Sequence, residues 1–290
     1  MDSMSTHIKR KIIQGLTLIV CNAYIPGFLH GKIYKGWFKQ FCIPGLNCYS
    51  CPGALGSCPL GSLQAVLGTA KYRFSYYVTG LLLMFGLVLG RFICGFFCPF
   101  GLLQELLHKL PGPKIKQPWK WPRFIKYALL LVFVIAMPLF VVNPLGMGDP
   151  AFCKYICPAG IVGAGLPLIV LNPPLRAALG VLFTWKAVLA FLILVGSAVI
   201  YRFFCRYLCP LGAIYGLFNR ISLYQLYCRK ENCIQCGACR SICRLGVDPS
   251  HENTSSECIR CGDCANVCPH QALELGFRNS KKNRNYLGSV

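Results

Sequence analysis

Eight cysteines near the carboxyl end of the chain stand in two runs with the same spacing. Each run reads Cys-x-x-Cys-x-x-Cys-x-x-x-Cys, at residues 233–243 and 258–268. Three closely spaced thiolates can hold one face of a [4Fe–4S] cubane, and the fourth thiolate of each run then reaches the other cluster. We therefore predict two clusters, one held by Cys233, Cys236, Cys239 and Cys268, and the other by Cys258, Cys261, Cys264 and Cys243.

Other residues in these runs bear on the assignment. Gly237 and Gly262 follow the second cysteine of each run, where the lack of a side chain lets backbone N–H groups approach the cluster. Arg244 follows the fourth cysteine of the first run, where proline is usual. A zinc site is the alternative, but eight cysteines without a histidine partner favour iron–sulfur clusters.

A second cysteine pattern occurs twice at the ends of apolar segments. The sequence Arg-Phe-x-Cys-x-x-x-Cys-Pro-x-Gly covers residues 91–101 and recurs at 202–212. Cysteines at positions i and i+4 share one helical face, and the following proline suits the start of a new helix, whose positive end favours an anionic cluster. If a pseudo-two-fold axis along the membrane normal relates the copies, the two pairs meet. We predict an inner-face membrane cluster held by Cys94, Cys98, Cys205 and Cys209.

A further Cys-Pro-x-Gly element precedes each copy, at Cys58 and Cys157. Symmetry requires Cys153 and Cys157 to meet a pair from the first half. The first half offers four cysteines, Cys42, Cys48, Cys51 and Cys58. Either Cys48 with Cys51, or Cys51 with Cys58, could supply that pair, and the two cysteines left over could form a disulfide on an oxidising face. We select an outer-face membrane cluster with the ligands Cys51, Cys58, Cys153 and Cys157.

The remaining motifs indicate no substrate chemistry. Cys21 and Cys228 fit no pattern and are expected to be structural. The chain has no dinucleotide fingerprint, P-loop or nucleophile elbow. We therefore assign no catalytic residue and expect an electron carrier, or a component of an oxidoreductase system, in which the cysteines of the motifs are ligands and not nucleophiles.

The composition places these cysteines in a membrane protein. Of the 290 residues, 55% are hydrophobic, and four segments are apolar and long enough to cross a bilayer: 12–29, 76–93, 124–142 and 177–204. The formal charge of +21 counts thiolates as neutral, and the cations lie mainly beside apolar segments, where lipid phosphates and membrane topology account for them. We therefore expect contact with membrane lipid and no binding of nucleic acid.

The cations also predict the orientation of the chain. They precede the first apolar segment, so the amino terminus is expected in the cytoplasm, together with 91–126 and everything after 204. The expected location is the inner (cytoplasmic) membrane, in a multi-pass arrangement with the cysteine-rich tail in the cytoplasm.

The predicted fold is mostly α, a polytopic membrane helical bundle with two internal repeats and a small carboxyl-terminal α+β domain for two [4Fe–4S] clusters. The predicted boundaries are an N-terminal signal-anchor helix (1–36), the first membrane repeat (37–123), the second repeat (124–227), the two-cluster domain (228–275) and a basic tail (276–290).

From about residue 37 to 275, the repeated Cys-x-x-x-Cys-Pro elements and the two-cluster tail resemble the NapH-like, polyferredoxin-type membrane proteins. The run from Asn47 to Pro59 looks like an uncharacterised subgroup of that family. The resemblance implies a ferredoxin-like tail and electron movement between quinol or cytoplasmic donors and extracytoplasmic enzymes. Related nitrous oxide regulators carry a large extracytoplasmic flavin domain, for which this chain has no room, so we expect no FMN.

The resulting interpretation is a relay of single electrons between a cytoplasmic ferredoxin or reductase and a membrane quinone or extracytoplasmic redox partner. Clusters at opposite surfaces would be about 30 Å apart, so either the sites are sunk into the bilayer or a quinone bridges them. Two alternatives stay open: an accessory scaffold for the maturation of a partner metalloenzyme, and a reductase of Cu(II) or Fe(III).

Overall fold

The computed structural model describes residues 2–69, 75–115, 119, 121–142, 147–177 and 179–278. Most of the predicted basic tail, residues 279–290, lies outside this part of the chain. The described residues are mostly helical and contain one two-stranded sheet. This composition agrees with the predicted class of a mostly α protein with a small α+β domain.

The helices follow one another in this order: α1 Asp2–Cys21, α2 Ile25–His30, α3 Pro59–Gly68, α4 Tyr76–Leu89, α5 Phe92–Phe96, α6 Pro99–Leu107, α7 Trp121–Phe140, α8 Pro158–Leu171, α9 Pro174–Ala177, α10 Val181–Val199, α11 Phe203–Tyr207, α12 Pro210–Phe218, α13 Ala238–Ile242 and α14 Asp263–Val267. A π-helical turn, Phe152–Ile156, precedes α8, and short 3₁₀ turns lie at Trp37–Gln40 and Lys230–Asn232.

Two helices in the described residues, α7 and α10, are long and apolar enough to cross a membrane. Large apolar side chains such as Phe140 and Phe191 are exposed along them. The helices α4 and α8 are apolar but shorter. The predicted span at 76–93 ends as a helix at Leu89, because Gly90 takes a positive φ of 53°.

The predicted span at 12–29 is not one helix. Helix α1 ends at Cys21, and Pro26 lies in the first turn of the separate helix α2, where its missing N–H does no harm. Helix α1 buries the polar side chains of Arg10 and Gln14. It packs against α5, α6 and the tail helix α14, so its inner face contacts protein.

The order of elements repeats along the chain. In the first half, α3 follows a Cys-Pro pair, α4 is a longer apolar helix, α5 carries a cysteine, and α6 follows the next Cys-Pro pair. The helices α8, α10, α11 and α12 repeat this order. Helix α1 packs against α6, and α7 packs in the same way against α12. The short helices that begin after the cysteines therefore lie at the centre of the molecule.

One core unites the cysteines of the two repeats with part of the tail. Cysteines from both halves lie in it, and the tail residues Leu245, Val247 and Ile259 are buried against them. A smaller second core contains Leu226 and Leu273. These two residues belong to strands β1 (Tyr224–Cys228) and β2 (Leu273–Phe277), which pair antiparallel.

Candidate iron–sulfur sites

The tail contains two cavities that are each lined by four cysteines. The loops before α13 and α14 form most of each wall, and the last cysteine of each run lines the cavity of the other run. The structure thus brings together the same two sets that the spacing predicts. They are Cys233, Cys236, Cys239 and Cys268 in the first cavity, and Cys243, Cys258, Cys261 and Cys264 in the second.

Two residues with positive φ bend each loop around its cavity. In the first loop they are Gln235 (53°) and Gly237 (75°), and in the second Arg260 (55°) and Gly262 (86°). Glycine adopts this conformation without steric cost, which explains its place immediately after the second cysteine. Arg244, the departure from the usual proline, lies 5.5 Å from the ring centroid of Tyr201, which lines the second cavity.

The two Cys-x-x-x-Cys-Pro copies build a third site from α6 and α12. Each helix begins directly after a cysteine, and that Sγ accepts a hydrogen bond at 3.4 Å from the glycine N–H three residues on. A Cβ at Gly101 or Gly212 would lie 3.2 Å from the carbonyl oxygen of the first cysteine in the same copy. The positive helix end and this close approach explain why the motif has proline and glycine after cysteine.

The repeated arginines cross between the copies. Arg91 donates to the carbonyl oxygen of Cys205 at 3.1 Å, and Arg202 donates to that of Cys94 at 2.5 Å. This reciprocal pairing is what a pseudo-two-fold axis produces. The predicted inner-face residues therefore lie together, buried in one core: Cys94, Cys98, Cys205 and Cys209.

Two buried carboxylates balance these arginines. Glu105 contacts Arg202 at 2.5 Å and Arg10 at 3.3 Å, and Lys11 also donates to it. The tail residue Glu257 pairs with Arg91 at 2.9 Å and with Lys126. Burial alone would raise the pKa of Glu257, but Arg91 and Lys126 outweigh it and lower the pKa to about 2. Glu257 is therefore an anion at neutral pH.

The outer-face residues surround a larger cavity of about 440 Å³, and its cysteines are Cys48, Cys58, Cys153 and Cys157. Lys186 also lines it and donates to the carbonyl oxygen of Cys153 at 3.1 Å. Cys51, which we selected from the sequence as a ligand, lines a neighbouring apolar cavity together with Cys48. The structure therefore places Cys48 in the wall of the outer cavity and Cys51 beside it, so the choice of Cys51 as a ligand stays a prediction.

The other cysteines also have definite surroundings. All twenty lie in the described residues and are free thiols, so the disulfide considered for the outer face is not formed. The Sγ of Cys42 lies 3.5 Å from the hydroxyl of Ser62. Cys228 lies beside the first tail set, where burial, with Cys233 close by, raises its pKa to about 11.

The volume of the outer cavity bears on the kind of group that its cysteines can hold. Within the described ranges, no three Cys, His, Asp or Glu side chains converge closely enough to hold one metal ion. A cubane holds its four thiolates farther apart than a zinc ion does, and the outer cavity of about 440 Å³ has room for such a group.

Sequence reasoning missed the role of two glutamines. Gln64 and Gln104 each donate a hydrogen bond to a cysteine sulfur, at 3.2 Å to Cys153 and 3.0 Å to Cys205. A signal was present, because each is the sixth residue after the cysteine of a Cys-Pro-x-Gly element. Both glutamines lie in the first repeat, and the equivalent positions of the second repeat carry other residues. The glutamines are therefore not part of the pattern that the two repeats share.

Comparison with known families adds to this geometry. A model described as a 4Fe-4S binding domain matches residues 73–118, 129–169 and 181–225, which contain the pairs Cys94 and Cys98, Cys153 and Cys157, and Cys205 and Cys209. A second model with the same description matches residues 254–274 in the tail. No solved structure matches the chain.

Several curated proteins are similar over part of their length. An uncharacterized protein of Methanocaldococcus jannaschii is 29% identical over 204 residues, which cover 68% of this chain and 76% of that protein. The methylamine utilization ferredoxin-type protein MauN of Paracoccus denitrificans is 32% identical over 56% of this chain and 50% of its own length. Protein NirI of the same organism is 28% identical over 54% of this chain and 21% of its own length. The 4Fe-4S binding domains and the four groups of cysteines show that this chain binds [4Fe–4S] clusters, and its sequence is similar to ferredoxin-type proteins such as MauN.

Proposed function

We propose that this chain is a multi-pass, NapH-like protein of the inner (cytoplasmic) membrane that relays single electrons through four [4Fe–4S] sites. Electrons would enter from a cytoplasmic ferredoxin or reductase at the tail and leave to a membrane quinone or an extracytoplasmic acceptor. The observation that carries the proposal is the packing of the cysteine groups against one another. Three of the four groups contribute cysteines to one hydrophobic core.

The second tail site packs directly on the inner membrane site. Ile259 lies between two cysteines of the tail loop, and its carbonyl oxygen is 2.7 Å from where a Cβ at Gly95 would be. Gly95 follows Cys94 immediately. The tail therefore contacts the inner site through backbone, which supports direct electron transfer between the two.

The inner and outer sites are also close to each other. An ideal Cβ at Gly45 would lie 2.8 Å from the Cα of Cys98, and Cys48, three residues after Gly45, lines the outer cavity. Three residues of extended chain span at most about 11 Å. The loop before α3 folds back into the core, so the separation of about 30 Å considered for sites at opposite surfaces does not apply.

Tyr215 is fully buried in the core that also contains Cys94, Cys98 and Cys58. Its hydroxyl donates to the carbonyl oxygen of Pro44 at 3.0 Å. The ring therefore packs in the core that cysteines of both sites share, and it excludes water from that core.

An apolar cavity beside the outer site supports a quinone as acceptor. Its volume is about 340 Å³, and Cys48, Cys51 and Phe100 are among its lining residues. Asn22 and Asn47 also line it, and Asn47 donates to the Asn22 side chain at 3.1 Å. A mostly apolar pocket with a few polar groups is what a lipid-soluble carbonyl compound requires.

The distribution of charge supports a cytoplasmic tail. Arg91 and Lys126 contact the tail directly, and Arg10 and Lys11 belong to the helix that packs against it. Cations near the ends of membrane segments favour the cytoplasmic side. We therefore place the tail, and the entry of electrons, on that side.

Quantitation of iron and acid-labile sulfide in the anaerobically purified full chain, with EPR, tests the proposal. Four cubanes require about sixteen irons per chain. The double variant Cys205→Ala/Cys209→Ala should lose about four of these irons and keep the tail signals, whereas Cys21→Ala should lose none. A native protein with only about eight irons would mean that the membrane cysteines hold no clusters, and the relay would be rejected.

A further inference from the structure

Gln64 and Gln104 occupy the same place in two copies of one motif. Each is the sixth residue after the cysteine of a Cys-Pro-x-Gly element, Cys58 in one case and Cys98 in the other. Both side chains are fully buried, with 0% exposure. Burying a primary amide is costly unless its hydrogen bonds are made inside the protein, so the partners of these two amides matter.

The partners are equivalent at the two sites. The Nε2 of Gln64 donates to the Sγ of Cys153 at 3.2 Å, and that of Gln104 donates to the Sγ of Cys205 at 3.0 Å. Each Oε1 accepts the backbone N–H of the residue before that cysteine, Phe152 or Phe204, at 3.0 Å in both cases.

Both amides thus reach from the first repeat to the first cysteine of a pair in the second repeat. The same two contacts form at both sites, so they recur with the Cys-Pro-x-Gly element of the first repeat. The equivalent positions in the second repeat are Gly163 and Tyr215, which carry no amide. Each membrane site therefore has one thiolate that is hydrogen-bonded to a glutamine of this kind.

We propose that Gln64 and Gln104 are positioning residues that hold Cys153 and Cys205 and raise the reduction potentials of the outer and inner clusters. The inference rests on the proposed function, since it requires a cluster at each membrane site. Reduction adds negative charge to a cluster and its sulfurs, and an N–H aimed at a ligand sulfur stabilises that added charge. The effect is large in a buried site because the surroundings screen it weakly.

Substitution by methionine removes the amide while keeping the length of the side chain. In Gln64→Met the midpoint potential of the outer cluster should shift to a more negative value and that of the inner cluster should stay unchanged. In Gln104→Met the pattern should be reversed. EPR-monitored redox titration of the full-length protein measures both potentials, and each variant is the control for the other.

Gln225 supplies a control for the loss of a buried amide. It lies in strand β1 and is buried, and its Nε2 donates to the carbonyl oxygen of Arg220 at 3.0 Å and not to a sulfur. Gln225→Met should leave both membrane midpoint potentials unchanged. An equal shift in all three variants would overturn the inference, because it would reflect loss of buried polarity alone.

The test separates this inference from the proposed function. Absence of membrane clusters from the native protein would contradict the proposed function. Intact clusters with unchanged potentials in both methionine variants would overturn the role of the glutamines. If the variants do not fold, native protein labelled with ¹⁵N in the glutamine side-chain amides should show a ¹⁵N hyperfine coupling to both reduced membrane clusters by ENDOR, and its absence would equally overturn the inference.

Discussion

The carboxylate of Glu257 lies 2.9 Å from the guanidinium of Arg91, in the relationship that Glu105 has to Arg202 in the other half of the inner site. Glu105 is the seventh residue after Cys98. The tail thus supplies, from a different part of the chain, the carboxylate that the second repeat lacks.

Gly216 makes room for the part of the tail that supplies this carboxylate. It is the seventh residue after Cys209, so it is the repeat equivalent of Glu105. A Cβ at Gly216 would lie 3.0 Å from the carbonyl oxygen of Ser256, the residue before Glu257. The missing side chain therefore lets the tail insert beside Arg91, and the tail becomes part of the inner site.

Removal of the Glu257 charge should strongly destabilise the protein. In Glu257→Gln, two buried cations, Arg91 and Lys126, lose their carboxylate, and breaking a buried ion pair from one side costs about 3–5 kcal/mol. Thermal unfolding in detergent measures the effect. Glu274→Gln breaks a more exposed pair with Arg229 and should cost no more than about 1 kcal/mol. Equal losses of stability would contradict a special role for Glu257.

A methyl group at Gly216 should disturb the same contact. Gly216→Ala places a Cβ against backbone that cannot move freely, at an expected cost of about 1–3 kcal/mol. Gly80 is a helical glycine with nothing within 4 Å of its ideal Cβ, so Gly80→Ala should be neutral or stabilising. Thermal unfolding of the two variants side by side makes the comparison. Loss of stability in Gly80→Ala alone would contradict the packing that we describe.

Single substitutions should decide which cysteine completes the outer site. Because Cys48 lines the outer cavity and Cys51 lines its neighbour, Cys48→Ala should lose about four irons per chain and Cys51→Ala should keep them. Iron and sulfide analysis of the anaerobically purified variants measures the difference. The opposite result would restore Cys51, the ligand selected from the sequence.

Filling the apolar cavity should block exchange with a quinone. Val162 lines the cavity, so Val162→Trp should slow reduction of the clusters by a quinol by about tenfold, which corresponds to roughly 1.4 kcal/mol. Val170 lies on the same helix and is exposed, so Val170→Trp is the matched control and should have no effect. Stopped-flow absorbance under anaerobic conditions measures the rate. Unchanged rates in Val162→Trp, with all clusters present, would exclude this cavity and favour an extracytoplasmic acceptor.

The grouping of the tail cysteines could be predicted from spacing because short loops leave few ways to arrange their thiols. Cys233, Cys236 and Cys239 lie within seven residues, and the positive φ of Gly237 directs them to one cavity. The inner set could be predicted for a related reason. A duplicated motif implies a symmetry axis, and the axis pairs Cys94 with Cys205 wherever the helices lie.

Only the tertiary structure decided the contacts that depend on packing between distant segments. Cys48 and Cys51 lie three residues apart in an irregular loop, where no helical or strand period tells which side chain faces the cavity. Glu257 and Arg91, which pair with each other, are separated by 166 positions in the sequence. Gln64 and Cys153 are separated by 89 positions. The amino-acid sequence by itself determined which residues can bind iron–sulfur clusters and how the chain repeats. The folding of the loop before α3 back into the core, which brings the outer site near the inner one, depended on long-range packing that local spacing does not encode.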